Sequence, residues 1–222
     1  MKVLSTALAE VVILEPTLFN DARGYFFESY LQRDFDMKVR PIHFIQDNES
    51  RSSYGVLRGL HFQIPPHAQS KLVRVIDGAV LDVAVDIRRG SPTFGLYVAV
   101  ELSAQNHRQL FIPRGFAHGF SVLTDKAIVQ YKCDNYYAPQ SEGAIAWNDP
   151  DLNIDWRIPQ GQEIISEKDR HRPLLSETKA LFDYKENLYQ EWIYWLRVLM
   201  DSWGRRCGKC RQAVRTVIFL PM

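Results

Sequence analysis

The stretch LVRVIDGAVLDVAVDI, residues 72 to 87, decides the fold class of this 222-residue chain. Its apolar residues recur at alternate positions, the period of a β-strand whose side chains point to two faces in turn. Between the two runs, Asp77-Gly78 supplies the residue pair preferred in a tight type I′ turn. The spacing predicts a hairpin. Val73 and Val75 share a face with Lys71, while Leu81, Val83 and Val85 alternate with Asp82, Ala84 and Asp86 on the return strand. Asp82 and Asp86 are therefore expected to face solvent or a partner subunit.

The same texture extends outward on both sides. From residue 1 to about residue 150, short β-branched and aromatic runs are separated by Gly, Pro, Asn and Asp, the pattern of a sandwich or barrel with few helices. LYVAVEL (96 to 102) follows a Ser91-Pro92 turn and leads through polar residues into FIPRGFAHGF (111 to 120), where Pro113 and Gly115 mark a bend between two strands. In AIVQYKC (127 to 133), Tyr131 shares a face with Val129. Beyond Ala138 the chain is punctuated by Pro139, Pro150, Pro159 and Pro173, a loop-rich segment able to close over a site. Residues 176 to 203 change character, with Leu181, Leu188, Trp192, Trp195, Leu196 and Leu199 at near-helical spacing. This predicts a C-terminal amphipathic helix, followed after Gly204 by a basic segment with one CxxC.

Composition narrows the class of function. With 27 basic and 26 acidic side chains the formal net charge is +1, so no strong field draws the chain to nucleic acid or to an acidic membrane surface. Three cysteines, Cys133, Cys207 and Cys210, are too few for a disulfide framework and fit a reducing cytoplasm. Glu10 and Glu15 interrupt the apolar N-terminus before a signal peptide is complete, and no stretch approaches the roughly 18 apolar residues of a spanning helix. A soluble, cytoplasmic protein is expected. The Cys207/Cys210 pair is half a zinc site and reads as incidental.

The chemistry-bearing residues lie on successive candidate strands. VLRGLHFQ (56 to 63) carries Arg58 and His61, Lys71 opens the next strand, and His118 and Tyr131 follow. A base, a fixed cation, a second imidazole and a phenol are the parts needed to move protons beside a carbonyl. Each has an ordinary alternative: a hydrogen-bonded strand histidine, an edge lysine that discourages pairing, a core tyrosine, a histidine capping a turn. Period-2 counting sets Arg58 and His61 on opposite faces, so both serve one pocket only if the strand kinks, which Gly59 permits as a bulge. Asp169, within SEKDRHRP (166 to 173), is a candidate to orient His61; its charged neighbours otherwise read as an exposed turn.

Several separated motifs together resemble the dTDP-4-dehydrorhamnose 3,5-epimerase family: DARGYFFESY (21 to 30), IQDNESRSSYGVLRGLHFQ (45 to 63), AQSKLVRVIDGAVLDVAVDIR (68 to 88), IPRGFAHGF (112 to 120) and YKCDNYYAPQSEGAIAWNDPDLNIDW (131 to 156). The likeness runs from about Val11 to Tyr184. It implies a mainly β, cupin-like jelly roll over residues 1–184, with a few short helices, and leaves residues 185–222 as an extension without counterpart, helical and then basic. Cupins commonly bind a metal through histidines, but His61 has no histidine or carboxylate at ligand spacing and His67 lies beyond a double proline. No metal and no organic cofactor is expected.

The resemblance implies the substrate and the roles. A C4 ketone in a dTDP-sugar acidifies the hydrogens at C3 and C5; His61 is the implied base, Asp169 its orienting partner, Lys71 the enolate stabiliser and Tyr131 the acid on the opposite face. Arg23, Glu28, Gln46, Asp47, Asn48, Arg58, His118, Glu142 and Lys168 are the implied contacts to nucleotide, diphosphate or sugar. The family also implies a homodimer that exchanges an N-terminal strand, so that Arg23 and Glu28 serve the neighbour's site. A reductase then completes dTDP-L-rhamnose, a donor for cell-surface polysaccharides. An epimerase acting at only one carbon is the nearest alternative, since the same base and acid serve both reactions.

Overall fold

The computed structural model describes residues 1–179 and 181–189. Residues Met1–Glu186 form one compact unit. Its strands are β1 (Lys2–Ser5), β2 (Val12–Glu15), β3 (Phe19–Asp21), β4 (Gly24–Phe26), β5 (Gln46–Ser53), β6 (Val56–Gln63), β7 (Lys71–Asp77), β8 (Ala79–Asp86), β9 (Arg88–Arg89), β10 (Tyr97–Ser103), β11 (Gln109–Ile112), β12 (Phe116–Val122), β13 (Lys126–Cys133), β14 (Glu142–Ala144), β15 (Ile164–Ile165) and β16 (Phe182–Asp183). Two short helices interrupt them, α1 (Gln32–Lys38) and α2 (Glu167–Arg170).

Two large sheets carry the fold, in the orders β1-β2-β11-β7-β13-β5 and β10-β8-β12-β6-β14, with β15 added in parallel to β6. They face each other across a core that includes Val73 and Val75 from the first sheet and Val80, Ala84, Phe116 and Phe120 from the second. Burying an aliphatic or aromatic side chain of this kind contributes about 1.5–3 kcal/mol. The result is the mainly β jelly-roll sandwich that the strand pattern predicts, with the bend at Pro113 and Gly115 between β11 and β12 as expected.

The hairpin expected at residues 72 to 87 is not one. β7 pairs with β11 and β13, whereas β8 pairs with β10 and β12, so the chain crosses from one sheet to the other at Gly78. Gly78 alone of the turn pair takes a positive φ, 76°, and a Cβ there would lie 2.0 Å from the Lys126 carbonyl oxygen. Asp-Gly marked the break between two strands, but the tight type I′ turn expected there is replaced by a single bend residue.

Asp82 and Asp86 also depart from expectation. Every residue of β8 is buried, and both carboxylates are fully enclosed. Val80 and Ala84 belong to the inter-sheet core, so alternation turns Asp82 and Asp86 inward with them. Leu81, Val83 and Val85 occupy the other face of the same sheet, where the Ser121 hydroxyl donates to the Trp156 carbonyl at 2.7 Å and ties down the later loop segment. A strand covered on both sides gives its polar residues no solvent face. Asp86 is satisfied instead by Arg88, Ser91 and Thr93, while Arg88 stacks on Phe116 and Tyr184 and pairs with Glu10.

The amphipathic helix expected from Ser176 does not begin there. Residues Leu175–Glu177 form a single 3-10 turn, and Phe182–Asp183 pair with Arg88–Arg89. Burial of Leu175 and Phe182 against the sandwich holds this stretch extended. From residue 190 onward the expected helix, with its tryptophans, and the Cys207/Cys210 pair lie outside the described residues. Among the described residues no helix is long and apolar enough to cross a membrane.

Candidate active site

A cavity of about 660 Å³ opens at one end of the sandwich, lined by both sheets and by the segment that follows β15. β6 supplies Arg58 and His61 on one side. Lys71 from β7 and Tyr131 from β13 face them from the other sheet. The shared face of Arg58 and His61 comes from a bulge: Arg58 lies opposite Phe120 and His61 opposite His118, three steps along β6 against two along β12. One extra residue restores the alternation and turns both side chains inward. Gly59 makes this geometry accessible, with a φ of 136° and the Cα of Gly119 only 2.5 Å from where a Cβ would sit.

His61 Nε2 lies 2.8 Å from Oδ1 of Asp169, the contact that chain spacing alone did not establish. Asp169 stands on α2, whose N-cap Ser166 accepts from the Asp169 amide, so the carboxylate is presented from a fixed turn. Burial pushes the Asp169 carboxyl up, but hydrogen bonds from His61 and Ser166 and the charge of Arg172 outweigh it and hold the group below its ordinary value. A neutral His61 that donates Nε2–H to Asp169 keeps its lone pair on Nδ1, the form a general base requires.

Lys71 sits on an interior strand, between β11 and β13, so the edge-lysine alternative does not apply. Its ammonium lies 5.7 Å from the centre of the Tyr131 ring and 3.5 Å from His118 Nδ1. Burial pulls its pKa down, against the opposing pull of Cys133, Asp82 and Glu142. His118 is buried behind Lys71 rather than in the cavity wall, with Nε2 at 3.1 Å from both Asp82 oxygens. Desolvation lowers its pKa, so a neutral ring donates through Nε2 and presents Nδ1 to Lys71. It caps no turn. Burial raises the Tyr131 pKa, and proximity to Cys133 adds to the effect, so the phenol stays protonated.

Glu142 gathers the far wall. Its carboxylate accepts from Lys168 at 2.6 Å, Arg172 at 2.8 Å and the Tyr137 hydroxyl at 2.7 Å. Desolvation opposes ionisation there, but those three donors bring the pKa to about 2.

The wall therefore gathers Gln46, Asn48, Arg58, His61, Lys71, Tyr131, Glu142, Lys168 and Asp169 of the expected set. Arg23, Glu28 and Asp47 lie outside it. Arg23 pairs with Asp21 on the exposed β3–β4 hairpin, Glu28 is exposed, and Asp47 pairs with Lys132 at 3.0 Å. Arg172 and Tyr137 were not anticipated. Arg172 belongs to the charge run read as an exposed turn, and only the fold shows that its side chain turns inward.

An inward-facing imidazole held by a carboxylate, opposed by a phenol and an ammonium from the other sheet, defines a cupin-like epimerase. The family model for dTDP-4-dehydrorhamnose 3,5-epimerase matches residues 5–177. The chain belongs to that family. It is 54% identical to the dTDP-4-dehydrorhamnose 3,5-epimerase of Salmonella typhimurium over 178 residues, 80% of this chain and 97% of that protein. A solved structure of dTDP-6-deoxy-D-glucose-3,5-epimerase from Legionella pneumophila, in complex with dTDP-4-keto-L-rhamnose, is similar with a TM-score of 0.80 and 47% identity, covering 83% of this chain and 99% of that one. The 3'-monoepimerase ChmJ from Streptomyces bikiniensis, in complex with dTDP-quinovose, is similar with a TM-score of 0.76 and 31% identity, covering 85% and 96%.

Proposed function

We propose that this enzyme inverts C3 and C5 of dTDP-4-dehydro-6-deoxy-D-glucose, giving dTDP-4-dehydro-L-rhamnose for dTDP-L-rhamnose synthesis. The observation that carries the reading is the placement of His61 and Tyr131 on opposing sheets, flanking one cavity. His61 takes the proton from the carbon beside the C4 ketone, and the electron pair moves onto the ketone oxygen. Asp169 stabilises the imidazolium that forms. Lys71 holds the enolate oxygen, and Tyr131 returns a proton to the same carbon from the other face. Inversion follows from that opposition. The reaction is redox-neutral, and the protein's own acid and base balance its protons, so it requires neither metal nor organic cofactor.

Gln46, Asn48, Arg58, Glu142 and Lys168 are the substrate contacts in the cavity wall, with guanidinium groups suited to diphosphate oxygens. His118 acts from behind Lys71. Asp47 contacts substrate from its place on β5 between Gln46 and Asn48, and Arg23 and Glu28 serve a neighbouring subunit in a homodimer. This is supported by the β3–β4 hairpin, where Phe19, Tyr25 and Phe26 are 60%, 58% and 66% exposed, an unusual display of aromatic surface. The epimerase domain spans residues 1–184, and none of the proposed site falls in residues 185–222. A buried free thiol at Cys133 and a nucleotide-sugar substrate support action in the cytoplasm.

The test is proton NMR in D2O with the purified chain and dTDP-4-dehydro-6-deoxy-D-glucose. Deuterium at both C3 and C5, with L-configured product, is expected. Label at one carbon alone assigns the single-carbon reaction, and none at either contradicts the epimerase reading.

A further inference from the structure

Arg172 makes two contacts that the proposed reaction has not used. Its Nε lies 3.4 Å from Asp169 Oδ1, the same oxygen that receives His61 Nε2 at 2.8 Å. Its Nη2 lies 2.8 Å from Glu142 Oε1, which Lys168 also reaches at 2.6 Å. The guanidinium therefore bridges the carboxylate of the His61 pair and a carboxylate of the cavity wall, with its side chain only 16% exposed.

The backbone does not depend on this bridge. Ser166 caps α2, the Ala146 amide donates to the Pro173 carbonyl at 2.8 Å, and the Leu175 amide donates to Asp149 at 2.7 Å. The segment keeps its path through these bonds, which leaves the Arg172 side chain to act on charge.

We propose that Arg172 is a positioning residue: it fixes the Asp169 carboxylate against His61 and, by its charge on the same oxygen, limits how far that carboxylate stabilises the imidazolium. This rests on the His61–Asp169 assignment above. When His61 accepts a proton, a second cation appears on an oxygen that Arg172 already neutralises in part. Like charges sharing one carboxylate disfavour the doubly cationic state. The neighbouring charged groups are placed differently. On the same segment, Arg170 and His171 pair outward with Glu167, while Lys168 is spent on Glu142. From β6, β7 and β13, Arg58, Lys71 and Tyr131 share the cavity wall, and His118 on β12 is tied to Asp82. His61 and Arg172 both bear on the same Asp169 oxygen, at 2.8 Å and 3.4 Å.

The experiment is the pH profile of kcat/KM for wild type, Arg172→Gln and Arg172→Lys, read by the position of the acid limb rather than by plateau height. Arg172→Gln is expected to move that limb upward by roughly half to one pH unit, and Arg172→Lys, which keeps the charge, to leave it near the wild-type position. If Arg172→Gln fails to fold, a limb displaced in Arg172→Lys by as much as one unit contradicts the charge assignment, and an unmoved limb supports it. A limb unmoved in a folded Arg172→Gln overturns the proposal; a raised KM beside it would make Arg172 a substrate contact, and a uniform loss of kcat would make it structural. His61→Ala, measured alongside, keeps the two readings apart. Undiminished proton exchange in that variant sinks the base assignment itself, whereas lost exchange with an unmoved Arg172→Gln limb sinks only the role of Arg172.

Discussion

His61 Nε2 and Asp169 Oδ1 meet at 2.8 Å across 108 positions of sequence, joining the bulged strand β6 to the capped turn of α2. The contact fixes two things at once: which ring nitrogen carries the proton and the plane of the imidazole. A base held this way needs no reorganisation at the moment of proton transfer, the condition under which electrostatic stabilisation counts most.

Tyr131 faces this pair from the other sheet, and the effects of burial keep its phenol protonated. Tyr131→Phe is therefore expected to retain proton abstraction while losing epimerised product by roughly a hundredfold or more, the scale of one acid–base group. Solvent-label uptake and product formation, followed in the same NMR sample, check the split. Product at an undiminished rate would assign the acid elsewhere.

The Lys71 ammonium lies 5.7 Å from the centre of the Tyr131 ring, and His118, locked by Asp82, faces that ammonium. Lys71→Met is expected to lower kcat by about 10²–10³, the cost of losing one donor to a developing oxyanion. Because burial lowers the Lys71 pKa, the wild-type enzyme is expected to lose activity on the alkaline side below the ordinary lysine range. A variant with wild-type kcat would contradict the role.

Gly59 builds the bulge that turns Arg58 and His61 to one face. Its φ of 136° and the 2.5 Å approach of Gly119 leave no room for a methyl group. Gly59→Ala is expected to cost about 1–3 kcal/mol or more and to lower activity beyond what the loss of stability explains. Thermal melting and kcat of the folded fraction measure the two effects. A variant as stable and active as wild type would mean the bulge is not needed.

Glu142 is held at a pKa of about 2, below its ordinary 4.5, by donors that outweigh desolvation. A folded-state pKa below the unfolded one gives stability that is present above pH 4.5 and lost as pH falls toward about 2. Glu142→Gln cannot titrate. It is expected to be less stable at neutral pH by about 1–3 kcal/mol, yet to lose less further stability on acidification than wild type. Parallel Tm curves down that pH range would contradict the assignment.

The sequence made the β class and the inward row of Lys71, Val73 and Val75 legible because one buried face leaves a period of two. It misled where both faces are covered: on β8 the alternation of Asp82 and Asp86 carried no information about solvent. At Gly78 the turn residues marked a break between strands but not the tight hairpin turn expected there, because strand partners are chosen by the packing of two sheets, which local chemistry does not encode. Arg58 and His61 share a face only through the bulge, which Gly59 allowed but did not dictate. The His61–Asp169 and Arg172–Glu142 contacts join segments remote in the chain, beyond the reach of any periodicity.

The most direct test of the central claim compares wild type and His61→Ala in D2O with dTDP-4-dehydro-6-deoxy-D-glucose, after circular dichroism has shown the variant to be folded. The account expects deuterium at C3 and C5 with wild type and no enzyme-dependent label with His61→Ala. Label entering either carbon at the wild-type rate in the folded variant would contradict it.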